Sequence, residues 1–298
     1  MGNSEELSHL DAKLREVAWR SDDARVRHIL RPMFIKHTAI QKILNEIQWM
    51  MSDCSHRAPG LVVCAPPGSG KTELSCHVNR VLPPREPTEA GLPAMPILVI
   101  SMSGAYDMRT VYGRVLLAVD APCPDRLSRT AREIEVLHLL HRLDCRLLVL
   151  DEFQDVLKGT EREQHRALDA VKMIMNDLTL PVLAMGTVEA GRALQSDAHL
   201  AARFEHAELP LWHKGAELVA LLKAVHSQLP LRKPSSLTAD DITDRILAHS
   251  QGVLGNIMRL IQDAAIHAII EGQEFIDARM VDLAVARRPD ASVLKPAA

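Results

Sequence analysis

Between the apolar run Leu61–Cys64 and the helical stretch Thr72–Val81 lies the segment Ala65-Pro66-Pro67-Gly68-Ser69-Gly70-Lys71-Thr72. A strand that ends in such a turn and passes straight into a helix follows the phosphate-loop pattern, with Ala65 in the first glycine position. The physical logic gives every residue in it a task. Glycines let the backbone wrap so that N–H groups point inward at phosphate oxygens, and the following helix adds its positive end. Lys71 is placed to reach the β and γ phosphates, and the Thr72 hydroxyl to ligate magnesium. Ala65 is a mild departure, because that position starts the turn without touching phosphate.

Strands and helices alternate around this loop. Ile40, Ile43, Leu44, Ile47, Met50 and Met51 recur at helical spacing behind Thr38 and Gln41, which read as a capping box. Pro83 and Pro84 stop the helix after the loop, and Glu86–Pro96 reads as a proline-rich loop. A second apolar run, Ile97–Met102, precedes a helix through Met108, Val111, Tyr112, Val115, Leu116 and Val119. A helix opened by Thr130 with Glu133 leads to a third strand, Leu147–Leu150, and a charged helix near Glu163–Leu178 to a fourth, Val182–Met185. Glu208–Leu211 is expected as the fifth. Such alternation predicts an α/β fold, a parallel sheet covered by helices on both faces. From Lys214 onward only helices are expected, over Ala216–Gln228, Ala239–Ser250, Asn256–Glu271 and Asp277–Arg287. The predicted division is a helical segment over 1–55, an α/β core over 56–212 and a helical lid over 213–298.

The 298 residues balance 35 basic against 38 acidic side chains, and no tail of either sign advertises a partner. No apolar run approaches the ~20 residues that cross a bilayer, so a soluble, cytoplasmic chain is expected, with no membrane partner. Gly2 is followed by Glu6 where a myristoylation signal needs a hydroxyl. The five cysteines, Cys54, Cys64, Cys76, Cys123 and Cys145, are odd in number and widely spaced, and read as reduced core thiols. His138 and His141 read as solvated, and the few aromatics form no base-stacking platform. Leu10, Leu14, Val17 and Ala18, at helical spacing within residues 1–30, either dock a partner or pack on the domain.

The third strand runs straight into Asp151-Glu152. An aspartate at the end of a buried strand can hold a magnesium complex, and the adjacent glutamate can orient or deprotonate the attacking water. Thr187 ends the fourth strand, as a poise for that water or as a plain strand-end cap. Arg203 precedes the fifth, as a charge reaching a neighbouring subunit's γ-phosphate or as a surface ion pair. Arg259 sits in the helical region, where it could fold onto the same nucleotide.

The order of phosphate loop, acidic strand end, Thr187, Arg203 and Arg259 in a helical lid resembles the AAA+ ATPases over about residues 35–287. Phe34-Ile35-Lys36-His37, Asp151-Glu152-Phe153-Gln154, Met185-Gly186-Thr187 and Ala202-Arg203-Phe204 narrow the resemblance to the TniB family of bacterial transposition ATPases. Pro66-Pro67-Gly68-Ser69 departs from the bulkier polar loop common in that family. The resemblance implies an AAA+ phosphate-loop sheet with a smaller all-helical C-terminal lid, an ATPase that uses ATP and Mg2+. It implies a homo-oligomer, ring or helical filament, that assembles on double-stranded DNA and recruits or activates a DDE transposase.

Carried onto this sequence, Pro67, Gly68, Ser69, Gly70, Lys71, Thr72 and Glu73 bind the nucleotide, and Thr72 with Asp151 holds magnesium. Glu152 becomes the general base, Thr187 sensor one, Arg203 the arginine finger and Arg259 sensor two. His37 falls near the adenine or serves as a surface or capping residue. A nucleotide-gated scaffold with negligible turnover and another AAA+ remodelling or loader ATPase are the alternatives. With a net charge of −3, DNA affinity must come from assembly, each protomer adding a few cations. Arg109, Lys158 and Arg162, on loops after strands, are the candidates for that contact or else ordinary solvated charges.

Overall fold

The computed structural model describes residues 7–52, 57–81, 85–87, 93–122 and 128–294. Cys54, Cys123, the Pro83-Pro84 helix stop, Gly2, Glu6 and the boundary drawn at 55/56 lie outside the described residues. Tertiary contacts divide the chain into two units, Ala39–Pro210 and a second formed by Met1–Thr38 with Leu211–Ala298. The threefold division expected from the sequence had kept the N-terminal residues apart from the C-terminal helices.

In the first unit, β1 (Gly60–Cys64), β4 (Ile97–Ser101), β5 (Leu147–Asp151), β6 (Val182–Gly186) and β7 (Phe204–Glu208) form one sheet in the order β4-β5-β6-β1-β7. Every pairing is parallel. β1 and β6 are buried along their whole length, which is why they read as continuous apolar runs rather than alternating ones. Helices from both sides of the chain contribute Leu116, Leu140, Val171 and Leu194 to the core beneath them.

Several local expectations are corrected. The fifth strand is Phe204–Glu208, not Glu208–Leu211. As an edge strand it is largely exposed, so it carries no apolar run, and Pro210 lacks the N–H a continuing ladder needs. The expected proline-rich loop contains two short antiparallel strands, β2 (Arg85–Pro87) and β3 (Pro93–Ala94), while residues 88–92 are outside the described ones. The helix expected to open at Thr130 is capped by Ser128, whose hydroxyl accepts from Ala131 N at 3.1 Å. Thr38 is the first residue of its helix rather than a cap, and Gln41 donates forward to Asn45 at 2.8 Å instead of back to the helix start. Cys64 is buried and Cys145 half-buried, but Cys76 lies on the exposed face of the helix Lys71–Val81, between buried Leu74, Ser75 and Val78.

In the second unit, helices Ala216–Ser227, Asp240–Ser250, Leu254–Ile270 and Ala278–Ala286 fall within about two residues of expectation. Of the N-terminal helices Ala12–Ala18 and Asp22–Ile29, the second packs on them, with Val26 and Ile29 entering the same apolar core, while the carbonyl of Ala18 accepts from Arg232 Nε at 3.1 Å. Arg25, fully buried, is the tie. Its Nη1 donates to Glu274 at 3.0 Å, its Nη2 to the other Glu274 oxygen, and its Nε to the Pro230 carbonyl at 3.1 Å. Gln262 adds a bond to the Ile29 carbonyl at 2.7 Å. No helix among the described residues is long and apolar enough to cross a membrane.

Removing one partner of a buried, hydrogen-bonded ion pair strands the other, so Arg25→Ala is expected to cost about 3–5 kcal/mol in a urea titration. A loss under about 1 kcal/mol would show that the pair is dispensable. A second expectation concerns acid. His226 accepts from Ser235 N at 2.9 Å through Nε2 and stacks on His9, 5.4 Å between centroids. Burial, and secondarily the charge of His9, lowers its pKa below the ordinary 6.5. Below that value the unfolded chain binds more protons than the folded one. This contribution to stability is therefore present above pH 6.5 and lost as pH falls through the lowered folded value. A thermal midpoint series from pH 7.5 to 5, compared with His226→Gln, checks it; equal acid slopes in the two proteins would refute it.

Candidate active site

The sheet order sets β1 between β6 and β7, with β5 on the far side of β6. Cys64 pairs with Gly186 in register, and Ala65 N donates to the Gly186 carbonyl at 2.9 Å. Three chain segments therefore leave the same sheet edge side by side: the glycine-rich turn after β1, Asp151-Glu152 after β5, and Thr187 after β6. This is the edge at which ligands bind in open parallel sheets.

In the turn, Gly68 and Gly70 take φ of +78° and +92°, a region closed to most side chains. The helix that follows starts at Lys71, so the N–H groups of its first turn lack intrahelical acceptors. Ser69 is 3% exposed, and its hydroxyl is buried without a hydrogen-bond partner among the described residues. Lys71, 7% exposed, folds back over the loop and donates to the carbonyls of Ala65 at 2.9 Å and Pro66 at 3.1 Å. An orphaned hydroxyl, spare amides and a lysine capped only by loop carbonyls suit an anion.

Electrostatics tie the lysine to the acidic strand end. Burial lowers the pKa of the Lys71 ammonium, while the charges of Glu152 and Asp151 pull it back up. Burial raises the pKa of Asp151, helped by Glu152 and opposed by the Glu152 N–H and by Lys71. A half-buried carboxylate at the end of β5 and an exposed Thr72 hydroxyl in the first turn after the loop are oxygen donors of the kind a hard divalent cation takes.

Glu152 itself adopts a left-handed conformation, φ +56° and ψ +40°, and its N–H donates to Asp151 Oδ1 at 2.9 Å. The side chain is exposed, with one carboxylate oxygen accepting from Gln154 Nε2. The Gln154 carbonyl in turn accepts from Thr187 N at 3.1 Å. Gln154 was visible in the sequence only within Asp151-Glu152-Phe153-Gln154, with no role; nothing in spacing alone marks an amide that bridges two strand ends. Thr187 Oγ1 lies 3.4 Å from Glu189, and Glu73 is half-buried in the first turn after the loop.

The other expected residues are placed as follows. Arg203 precedes β7, and its Nη1 donates to Asn176 Oδ1 at 2.6 Å while its Nε is buried without a hydrogen-bond partner among the described residues. Arg109, Lys158 and Arg162 are exposed but do not lie on loops: Arg109 is in the first turn of the helix Met108–Ala118, Arg162 in the first turn of the helix Glu161–Leu178, and Lys158 ends the short 3-10 helix Phe153–Lys158. Lys158 already pairs with Asp155 at 2.8 Å. His37 and Arg259 belong to the second unit. The His37 ring meets Trp212 edge-on at 5.0 Å and lines a cavity of about 300 Å3 with Ile35, Ala220 and Leu221. Burial lowers its pKa, against the pull of Glu217, and among the described residues its Nε2 has no hydrogen-bond partner. Arg259 is exposed on Leu254–Ile270 and lines a cavity of about 380 Å3 with Asn256, Asp263 and Arg288.

The family described as bacterial TniB protein matches residues 25–214. No curated protein matches the chain. Among solved structures, Aeropyrum pernix ORC2 is similar at 14% identity and a TM-score of 0.60, over 89% of this chain and 73% of that one. Aeropyrum pernix ORC1, solved in complex with DNA, is similar at 18% identity and a TM-score of 0.58, over 88% and 68%. The Thermotoga maritima RuvB Holliday junction branch migration motor is similar at 19% identity and a TM-score of 0.52, over 87% and 72%. At such identities the likeness is one of fold, and the fold is that of the AAA+ proteins: a five-stranded parallel sheet flanked by helices, with a helical C-terminal region.

Gly186 tests the packing of this edge. A Cβ there would stand 2.3 Å from Gln154 Oε1 and 2.7 Å from Ala190 Cβ. Gly186→Ala is expected to destabilise the protein by about 1–3 kcal/mol in chemical denaturation. An unchanged midpoint would mean that the Gln154 amide is not seated against the end of β6.

Proposed function

We propose, the chain being a member of the bacterial TniB family, that it is a magnesium-dependent ATPase that assembles on double-stranded DNA and recruits or activates a DDE transposase. The observation that carries the reading is the convergence at one sheet edge of the Lys71 loop, Asp151-Glu152 and Thr187. ATP is the substrate. Pro67, Gly68, Ser69 and Gly70 present backbone to its phosphates, and the ammonium of Lys71 exchanges the Ala65 and Pro66 carbonyls for β and γ phosphate oxygens. Thr72 and Asp151 hold the metal, which when bound would neutralise charge on those phosphates. Glu152 takes the proton of the attacking water, and Thr187 orients that water. Glu73 supports the loop from the first helical turn.

Arg203 acts in a neighbouring copy's site, releasing Asn176 to reach the γ-phosphate, so that turnover requires a homo-oligomer, ring or helical filament. By the AAA+ resemblance Arg259 would serve as sensor two and His37 as a residue at the adenine. DNA enters through the TniB membership and through likeness to a fold that Aeropyrum pernix ORC1 uses in complex with DNA. Because the chain carries a net charge of −3, binding rests on Arg109, Lys158 and Arg162 repeated along an assembly and is steeply salt-dependent. The protein acts in the cytoplasm.

ATP turnover and particle size, each measured with and without duplex DNA, test this. Lys71→Ala is expected to abolish nucleotide binding and assembly. Glu152→Gln is expected to assemble normally and to lose about 10²–10⁴ in turnover. Full turnover in Glu152→Gln would remove the general base, and a particle that stays monomeric with ATP and DNA would remove the shared site.

A further inference from the structure

The Gln154 side chain touches both the proposed base and the end of the neighbouring strand. Its amide nitrogen donates to Glu152, and its amide oxygen accepts from the Thr187 N–H at 3.1 Å. Each end has only one suitable partner: a carboxylate cannot donate, and a backbone N–H cannot accept. The amide is also boxed in, because Gly186 leaves room for it that any Cβ would close. Glu152 meanwhile stands in a left-handed conformation on an exposed corner, where its carboxylate would otherwise sample several rotamers. Phe153, fully buried, anchors the turn that carries Gln154 back toward β6.

We infer that Gln154 is a positioning residue for ATP hydrolysis, which clamps the Glu152 carboxylate to the end of β6 so that base and sensor move together. The inference rests on the ATPase reading above. The donor occupies one carboxylate oxygen and leaves the other for water. A shift of Thr187 on contact with a γ-phosphate would then be passed to Glu152 through two hydrogen bonds.

Two measurements test the clamp. In nucleotide-free protein, backbone hydrogen exchange at Thr187 is expected to speed up about tenfold in Gln154→Ala and to stay near wild type in Gln154→Glu, which keeps an acceptor for that N–H. With ATP and DNA, both variants are expected to lose about 10- to 100-fold in kcat with KM for ATP and nucleotide affinity little changed. Gln154→Glu loses it because a second carboxylate replaces the donor to Glu152. Adding Gln154→Ala to Glu152→Gln should cost nothing further, as expected for groups acting as a unit. Unchanged exchange at Thr187 in Gln154→Ala, or wild-type kcat in that variant while Glu152→Gln is dead, would overturn the clamp and leave the ATPase reading standing. Absence of turnover in the wild-type protein would instead overturn the ATPase reading and the clamp's catalytic role with it.

Discussion

The in-register pairing of β1 with β6 is the constraint on which the rest of the site depends. Because the strands are parallel, both end at the same edge, and the Ala65 N–H to Gly186 carbonyl bond carries the ladder one residue into the glycine-rich turn. β5 then ends beside β6, bringing Asp151-Glu152 to a loop about 80 residues earlier in the chain. A one-residue slip of either pairing would turn these side chains to the opposite face. Full burial of β1 and β6 removes that freedom.

On this frame the charges are poised rather than satisfied. Among the described residues Lys71 is held by the carbonyls of Ala65 and Pro66, with two carboxylates near enough to bias it, and Asp151 is disfavoured as an anion by its burial. Each group gains most from a ligand carrying both negative phosphates and a positive metal. The left-handed backbone at Glu152, a strain of about 1–3 kcal/mol, is of the kind that accumulates where geometry serves chemistry. Gln154 supplies the contact that makes one position of that exposed carboxylate worth holding.

The helical unit is assembled on different terms. Residues from both ends of the chain meet there, and a buried guanidinium joins them: Arg25 satisfies Glu274, which also accepts from Arg232 N at 3.2 Å. The N-terminal residues thus pack on the C-terminal helices. Leu7, Leu10, Leu14 and Ala18 close a small core of their own on the way.

What the sequence determined by itself was whatever is local or periodic. The glycine-rich turn between β1 and its helix, the apolar runs of β1, β4, β5 and β6, and the four C-terminal helices were legible because each is written in a few adjacent residues or in one repeating spacing. The edge strand β7 was misplaced because a strand with one exposed face leaves no apolar run, and the helix start at Thr130 because Ser128, two residues earlier, offers an equally suitable capping hydroxyl. Gln154 between Glu152 and Thr187, Arg203 on Asn176, and Arg25 on Glu274 were decided by tertiary structure alone. Each joins residues that are remote in the chain, or turns a side chain in a direction that periodicity does not encode, and only the packed backbone sets which polar group stands within about 3 Å of which.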